Sequence, residues 1–286
     1  MLTLEGYKIA KKDISNLNHM KSLLNVRPYI PSVFVKPQYV KKYPVYKEDS
    51  EFLYVPKHFG IQHFGPLKSS LRNITKQNES NWEFNGSIRT NQEEVIKSFL
   101  CPEPRDGIIS LQTGGGKTVC ALFIASKLRV PTIILVHNTF LRDQWIDRIR
   151  AFLPKARIGS IQGDKIDIKE KDIVVAMLQS ISLKDYSTEV FENFGLLIVD
   201  ECHHIASESF SQAIPKLTCQ YMLGLSATPE RKDKLMHVIN WFLGPILYKS
   251  DTSDKKDENE KVEVYEFKHD NDKLRIELMK EKSELS

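Results

Sequence analysis

A strand, a glycine-rich turn and a helix follow one another near residue 114, and no other stretch restricts the fold as strongly. The apolar run Gly107-Ile108-Ile109-Ser110-Leu111 leads into Gln112-Thr113-Gly114-Gly115-Gly116-Lys117-Thr118, and Val119-Cys120-Ala121-Leu122-Phe123-Ile124-Ala125 continues as a helical pattern. Glycines allow backbone N–H groups to turn toward an anion, and a helix N-terminus adds partial positive charge. The unit therefore reads as a phosphate cradle. Lys117 is placed to reach the β- and γ-phosphates of a nucleotide, and the Thr118 hydroxyl to ligate Mg²⁺. Leu111 departs from the usual pattern, which begins with glycine.

A cradle of this kind needs a sheet behind it. Apolar runs suited to buried strands occur at 107–111, 132–136, 158–161, 172–177, 195–199 and 221–225. Ile133-Ile134-Leu135-Val136 and Leu196-Leu197-Ile198-Val199 are wholly hydrophobic, as central strands of a parallel sheet are. Helical patterns run from Thr90 to Leu100, Leu141 to Phe152 and Ser207 to Ile214. Thr90 is the expected N-cap of the first, with Glu93 at the capping-box position. Trp145 lies within an amphipathic helix and reads as core. The fold class is α/β, a doubly wound parallel sheet flanked by helices.

Residues 1–88 differ in texture. Lys8, Lys11, Lys12, Lys21, Lys36, Lys41, Lys42 and Lys47 alternate with Tyr29, Phe34, Tyr39, Tyr43 and Tyr46. Residues 30–35 and 51–55 read as short strands edged by proline, and 59–65 as a turn-rich junction. Basic groups among aromatics suit nucleic acid; a solvated face over a small β-rich core explains them equally well. The polar run at 75–81 sets an expected boundary near residue 80. The four cysteines lie far apart with no Cys-x-x-Cys pair, which suits reduced thiols inside a cell better than a disulfide framework. No apolar run approaches the roughly 20 residues that span a bilayer, and no secretory h-region opens the chain.

A second anchor is Leu196-Leu197-Ile198-Val199-Asp200-Glu201-Cys202-His203-His204. The strand delivers two carboxylates to the C-terminal edge of the sheet, where α/β folds bind ligands. Asp200 can hold Mg²⁺ through water, and Glu201 can orient and deprotonate an attacking water. Zinc on Cys202, His203 and His204 is the competing reading, but three consecutive side chains do not easily converge on one ion. Leu223-Gly224-Leu225 then runs into Ser226-Ala227-Thr228-Pro229, an element suited to sensing the γ-phosphate.

Taken together, Gln92, Gly-Gly-Gly-Lys-Thr, Asp-Glu-Cys-His-His and Ser-Ala-Thr-Pro resemble the first RecA-like domain of superfamily-2 DExH/DECH-box helicases over residues 80–250. Residues 88–92, Leu135-Val136-His137-Asn138 with Gln144-Trp145, and 223–231 resemble the XPB-like and restriction-translocase branch. Residues 45–65 resemble leaders of large-DNA-virus helicases of the poxvirus transcript-release type. The resemblance implies ATP with Mg²⁺ in the cradle formed by Gln112, Thr113, Gly114, Gly115, Gly116, Lys117 and Thr118. It also implies that Gln92, with Arg89 nearby, reads adenine, since an amide can donate and accept on one edge. Lys117, Asp200 and Glu201 are then the catalytic set, and His203, Ser226, Ala227 and Thr228 couple hydrolysis to movement. His137, Asn138, Thr139, Gly163, Gln179 and Ser180 fall at the family's contacts to strand phosphates, which carry no sequence information.

The expected organisation is a β-rich accessory domain at 1–80 with candidate nucleic-acid binding, a RecA-like domain at 81–250, and a charged linker at 251–286. The run from Ser250 to Lys261 is dominated by Asp, Lys and Glu, and 262–267 alternates as a strand. A second RecA-like domain, with the arginines that complete the ATP site, is the expected partner and is not found here, so the chain reads as the front part of a longer protein. The partner class is nucleic acid, DNA favoured over RNA, with no membrane. Movement on duplex DNA without strand separation is the first rival; a P-loop kinase or switch is the second and leaves the Ser-Ala-Thr element without a use.

Overall fold

The structure, a computed structural model, describes residues 1–27, 42–67, 82–205, 212–227 and 235–250. The expected strand at 30–35, the polar run at 75–81 with the boundary set in it, most of the expected helix at 207–214, Thr228, and the charged tail with its strand at 262–267 lie outside these residues. Residues Met1–Ser250 form one compact unit.

Six short strands come first: β1 (Leu2–Thr3), β2 (Gly6–Ala10), β3 (Asn25–Val26), β4 (Tyr43–Pro44), β5 (Lys47–Glu48) and β6 (Phe52–Val55). Strands β1, β2, β6 and β5 make an antiparallel sheet in that order, and β3 pairs with β4. Alternation sets their faces: Leu53 and Val55 are buried, Phe52 and Tyr54 only half-buried. Helix α1 (Leu17–Leu23) lies between β2 and β3, capped by the Asn16 side chain.

The main sheet has eight strands: β7 (Gly107–Ser110), β8 (Thr132–Val136), β9 (Ile158–Gln162), β10 (Lys165–Asp167), β11 (Ile173–Met177), β12 (Leu196–Val199), β13 (Tyr221–Ser226) and β14 (Ile246–Lys249). Their spatial order is β10-β9-β11-β8-β12-β13-β7-β14. Only β10 runs antiparallel to its neighbour; every other pairing is parallel. All residues of β8, β11 and β12 are buried, which is why these segments, Thr132 apart, are apolar throughout rather than alternating.

Period two along each strand divides the interior. Ile134 and Val136 face a core shared with helices α3 (Thr90–Leu100), α4 (Lys117–Leu128) and α5 (Thr139–Phe152). Ile133 and Leu135 belong to the core on the other face, which also contains Ile9, Leu53 and Phe59 of the N-terminal segment and Val238 and Phe242 of the last helix. Burying a side chain such as Phe59 contributes roughly 1.5–3 kcal/mol. Two shorter elements, α2 (Lys57–Phe64) and α6 (Leu178–Leu183), and the last helix α7 (Met236–Leu243) complete the fold. Cys120, Cys202 and Cys219 are buried and Cys101 is exposed; burial pushes the Cys120 thiol up to about 11. No helix among the described residues is long and apolar enough to cross a membrane.

Three local expectations need correction. Residues 59–65 are not a turn-rich junction; they belong to α2 and its end. Gly60 is there for close packing, since a Cβ would lie 2.2 Å from Cγ of Tyr7, and Gly65 ends the helix at φ +89°. Helix α3 is capped one residue earlier than expected. Arg89 is extended, its N–H donates to Gln92 Oε1 at 3.0 Å, and Glu93 instead pairs with Lys97. Finally, β14 is a strand where none was expected; it lies parallel to β7 at the sheet edge.

A buried ionic cluster fastens α2 to the main sheet. Lys57 Nζ lies 2.6 Å from Asp106 Oδ2 and donates to the Gln220 carbonyl at 2.7 Å. His58 Nε2 is 2.9 Å from the same carboxylate oxygen, and the Met222 N–H donates to Oδ1 at 3.0 Å. Asp106 and Gln220 immediately precede β7 and β13, so the cluster sits at the sheet edge opposite the glycine-rich loop.

Candidate nucleotide site

The glycine-rich loop leaves the C-terminal end of β7 and enters α4. Gly114 and Gly116 have φ of +82° and +85°, the left-handed region that L side chains rarely adopt. A Cβ on Gly116 would lie 2.1 Å from Nε2 of Gln92, so the Gln92 amide would have to move out of its place. Gly115 turns inward, its N–H donating to the Gln112 carbonyl at 3.0 Å. The first N–H groups of α4 have no intrahelical partner. Leu111, where a glycine is usual, is buried in the core.

Around this loop lies a cavity of about 650 Å³, large enough for a nucleotide. Arg89, Gln92, Gln112, Thr113, Gly114, Lys117, Thr118, Asp200 and Glu201 line it. Gln92, in the first turn of α3, is buried at 4% exposure. Lys117 Nζ lies 3.2 Å from Glu201 Oε1 and donates to the Leu111 carbonyl at 3.4 Å.

Strand β12 carries the carboxylates. Asp200 follows it directly, its N–H held by the Leu135 carbonyl at 3.1 Å. Burial pushes the Asp200 carboxyl above the ordinary value and the Glu201 charge adds to the rise, against the pull of the Trp145 N–H and of Lys117. Glu201 adopts φ +46°, a conformation that costs a non-glycine residue of order 1–3 kcal/mol and is typical of functional sites. Its Oε2 is buried without a hydrogen bond among the described residues. His203 Nδ1 is 3.3 Å from that oxygen, but its hydrogen bond goes to Ser226 Oγ at 2.8 Å. Ser226 ends β13, and its carbonyl accepts from the Leu111 N–H at 3.0 Å. Glu201, His203, Ser226 and the start of the loop thus form one connected set; Ala227 follows at the strand end. The donor set suits Mg²⁺: Thr118 and Asp200 offer hard oxygens, and space around Gly114 is open.

The residues at the family's strand-phosphate positions are also joined. The Asn138 side chain caps α5 by accepting from the Leu141 N–H at 2.8 Å, just ahead of Thr139. Gln179 Nε2 donates to the His137 carbonyl at 2.7 Å. The Gly163 N–H donates to Ser180 Oγ at 2.8 Å, and the Gly163 carbonyl accepts from the Tyr186 hydroxyl at 2.7 Å. The ends of β8 and β11 and the β9–β10 turn, three neighbours at one sheet edge, are cross-braced in this way.

Sequence reasoning missed one wall of the cavity. Leu141, Gln144, Arg148 and Phe152 of α5 line it, together with Gly86 and Ser87. The 3-4-4 spacing of those helix residues was the available signal, since it places them on one face. Trp145 is core, as read, but its Nε1–H also donates to Asp200 Oδ2 at 2.7 Å. No spacing rule foretells that bond.

Comparison with known proteins follows the same lines. The family described as type III restriction enzyme, res subunit, matches residues 85–231. A protein of Acanthamoeba polyphaga mimivirus that carries the name of an ATP-dependent RNA helicase is 33% identical over 272 residues, 93% of this chain and 51% of that protein. The DNA 3'-5' translocase XPB2 of Sulfurisphaera tokodaii is 36% identical over 162 residues, 57% of this chain and 35% of the relative. The chain therefore spans about half the length of the mimivirus relative and about a third of the archaeal one. The crystal structure of the UvsW helicase from bacteriophage T4 shares the fold, with a TM-score of 0.56 at 18% identity over 80% of this chain and 92% of that one.

Proposed function

Because this chain belongs to the family of type III restriction enzyme res subunits, within helicase superfamily 2, we propose that it is the ATP-binding front part of a nucleic-acid helicase or translocase. The observation that carries this reading is the meeting of Lys117 with Glu201 at 3.2 Å in a cavity that Asp200 and Thr118 also line. Lys117 holds the β- and γ-phosphates, and the N–H groups of the loop and of α4 support them. When bound, Mg²⁺ would neutralise phosphate charge, held by the Thr118 hydroxyl and the Asp200 carboxylate. Glu201 takes the proton of the attacking water. Gln92 holds adenine with its amide, Oε1 already accepting from the Arg89 N–H. Phosphate binding draws Lys117 away from Glu201 and so frees the carboxylate. The set of Glu201, His203 and Ser226 then relays the state of the γ-phosphate toward 227–229.

The test is direct. Lys117→Ala is expected to weaken ATP binding by about 10- to 150-fold, the worth of charge-assisted hydrogen bonds of roughly 1.5–3 kcal/mol. Isothermal calorimetry reads it; equal affinity in wild type and variant would sink the site.

The pH dependence carries a sign. Asp200 is protonated at a higher pH than an ordinary carboxyl, whose value is about 4. A metal ion must displace that proton. The Mg²⁺-dependent part of ATP affinity is therefore expected to decline as the pH falls, beginning above the ordinary carboxylate range. A decline confined to pH below about 4 would contradict this.

The track is DNA, gripped through its phosphates by the 137–139, Gly163 and 179–180 cluster. Residues 1–80 form an accessory part that adds contacts from the half-exposed face where Lys8 lies 3.7 Å over the Phe52 ring. Residues 81–250 form the RecA-like motor part, and 251–286 lead toward a second RecA-like domain that supplies the completing arginines. ATPase stimulation compared across single-stranded DNA, duplex DNA and RNA identifies the track. Displacement of a labelled strand from a tailed duplex separates unwinding from translocation.

A further inference from the structure

Trp145 does more than fill the core. Its ring is 1% exposed, and its Nε1–H donates to Asp200 Oδ2 at 2.7 Å across 55 residues of sequence. Asp200 Oδ1 accepts from the Glu201 N–H at 3.0 Å. Both oxygens are thus restrained, and the carboxylate plane, which rotates freely about a torsion between sp³ and sp² carbons, has one setting. The helix that carries Trp145 is itself fixed, capped by Asn138 at its start and buried again at Ile149. Packing alone does not require the bond. The Trp82 indole is also buried, and its Nε1 has no hydrogen-bond partner among the described residues.

We propose that Trp145 is a positioning residue that sets the orientation of the Asp200 carboxylate for Mg²⁺. The proposal rests on the reading of Asp200 as the metal carboxylate. Hydrogen bonds from behind a metal ligand fix its direction, and their loss costs about 10- to 100-fold in metal affinity.

The experiment measures affinity for a non-hydrolysable ATP analogue by calorimetry, once with Mg²⁺ and once with EDTA. The ratio of the two affinities is the quantity read. Trp145→Phe is expected to lower that ratio about tenfold or more while leaving the affinity in EDTA unchanged. If Trp145→Phe does not fold, benzothienylalanine at position 145 keeps the shape of indole and replaces only the N–H by sulfur; the same loss is expected. A ratio equal to wild type in the variant that folds would overturn the role of Trp145 alone. A wild type whose affinity ignores Mg²⁺, or an Asp200→Asn variant that keeps the full Mg²⁺ effect, would overturn the metal-site reading and this proposal with it.

Discussion

Replacing Glu201 by glutamine in the full-length protein, where a second RecA-like domain completes the site, is expected to slow ATP hydrolysis by about 10²–10⁴-fold, the contribution of a positioned general base. Residues 1–286 alone are expected to hydrolyse ATP barely if at all. Nucleotide affinity should hold or rise. The reason lies in what Glu201 touches. One oxygen is tied to Lys117 at 3.2 Å, so the amide variant releases the lysine to the phosphates rather than removing a ligand contact. The other oxygen is buried, has no hydrogen bond among the described residues, and lies 3.3 Å from His203 Nδ1. The strained backbone at φ +46° stays the same, because glutamine differs from glutamate only at the head group. Phosphate release under saturating nucleic acid reads the rate, and calorimetry reads the affinity. A rate within threefold of wild type would remove Glu201 from the chemistry. A parallel fall in affinity would recast it as a binding residue. The contrast with Lys117→Ala is the useful part, since that variant is expected to lose binding first.

The sheet was legible in the sequence because its central strands are buried on both faces. Segments such as Leu196 to Val199 have no polar position to hide the pattern. The glycine loop was legible for a similar reason: φ values of +82° and +85° leave little choice of residue. What escaped was set by distant partners. Gly60 looked like a turn residue, yet it lies in a helix, where the Tyr7 ring occupies the place a Cβ would take. Strand β14 is half-exposed and follows Gly244-Pro245, so neither its length nor its surroundings marked it; pairing with β7 makes it a strand. In the candidate site, the loop and the carboxylates announced themselves by type and order. The wall from α5 and the Trp145–Asp200 bond did not, since periodicity reports which face is buried and not which polar atom waits there.

The same blindness covers Asp106, whose surroundings lead to the largest stability effect expected of a single substitution here. Asp106→Asn should destabilise the fold by about 3–5 kcal/mol, the cost of removing one partner from a buried ion pair. For a unit of this size that is a fall in Tm of roughly 10 °C. Lys57 is the cause: 7% exposed at the side chain, it would be left beside a neutral amide, with carbonyls as its remaining partners. Burial by itself would raise the Asp106 carboxyl, but the charge of Lys57 and the hydrogen bond from His58 hold it below the ordinary range. The sign follows from that depression. The stabilisation is fully present above the pKa of the unfolded chain, about 3.9, and is lost as pH falls through the lower folded value. Wild type should therefore lose stability in acid more steeply than Asp106→Asn, and the two should converge there. Asp106→Asn combined with Lys57→Met removes the stranded charge and should recover most of the loss. Urea unfolding of the three proteins reads all of this. A single substitution costing less than about 1 kcal/mol would mean that water reaches Lys57 and that the cluster does not fasten α2 to the sheet.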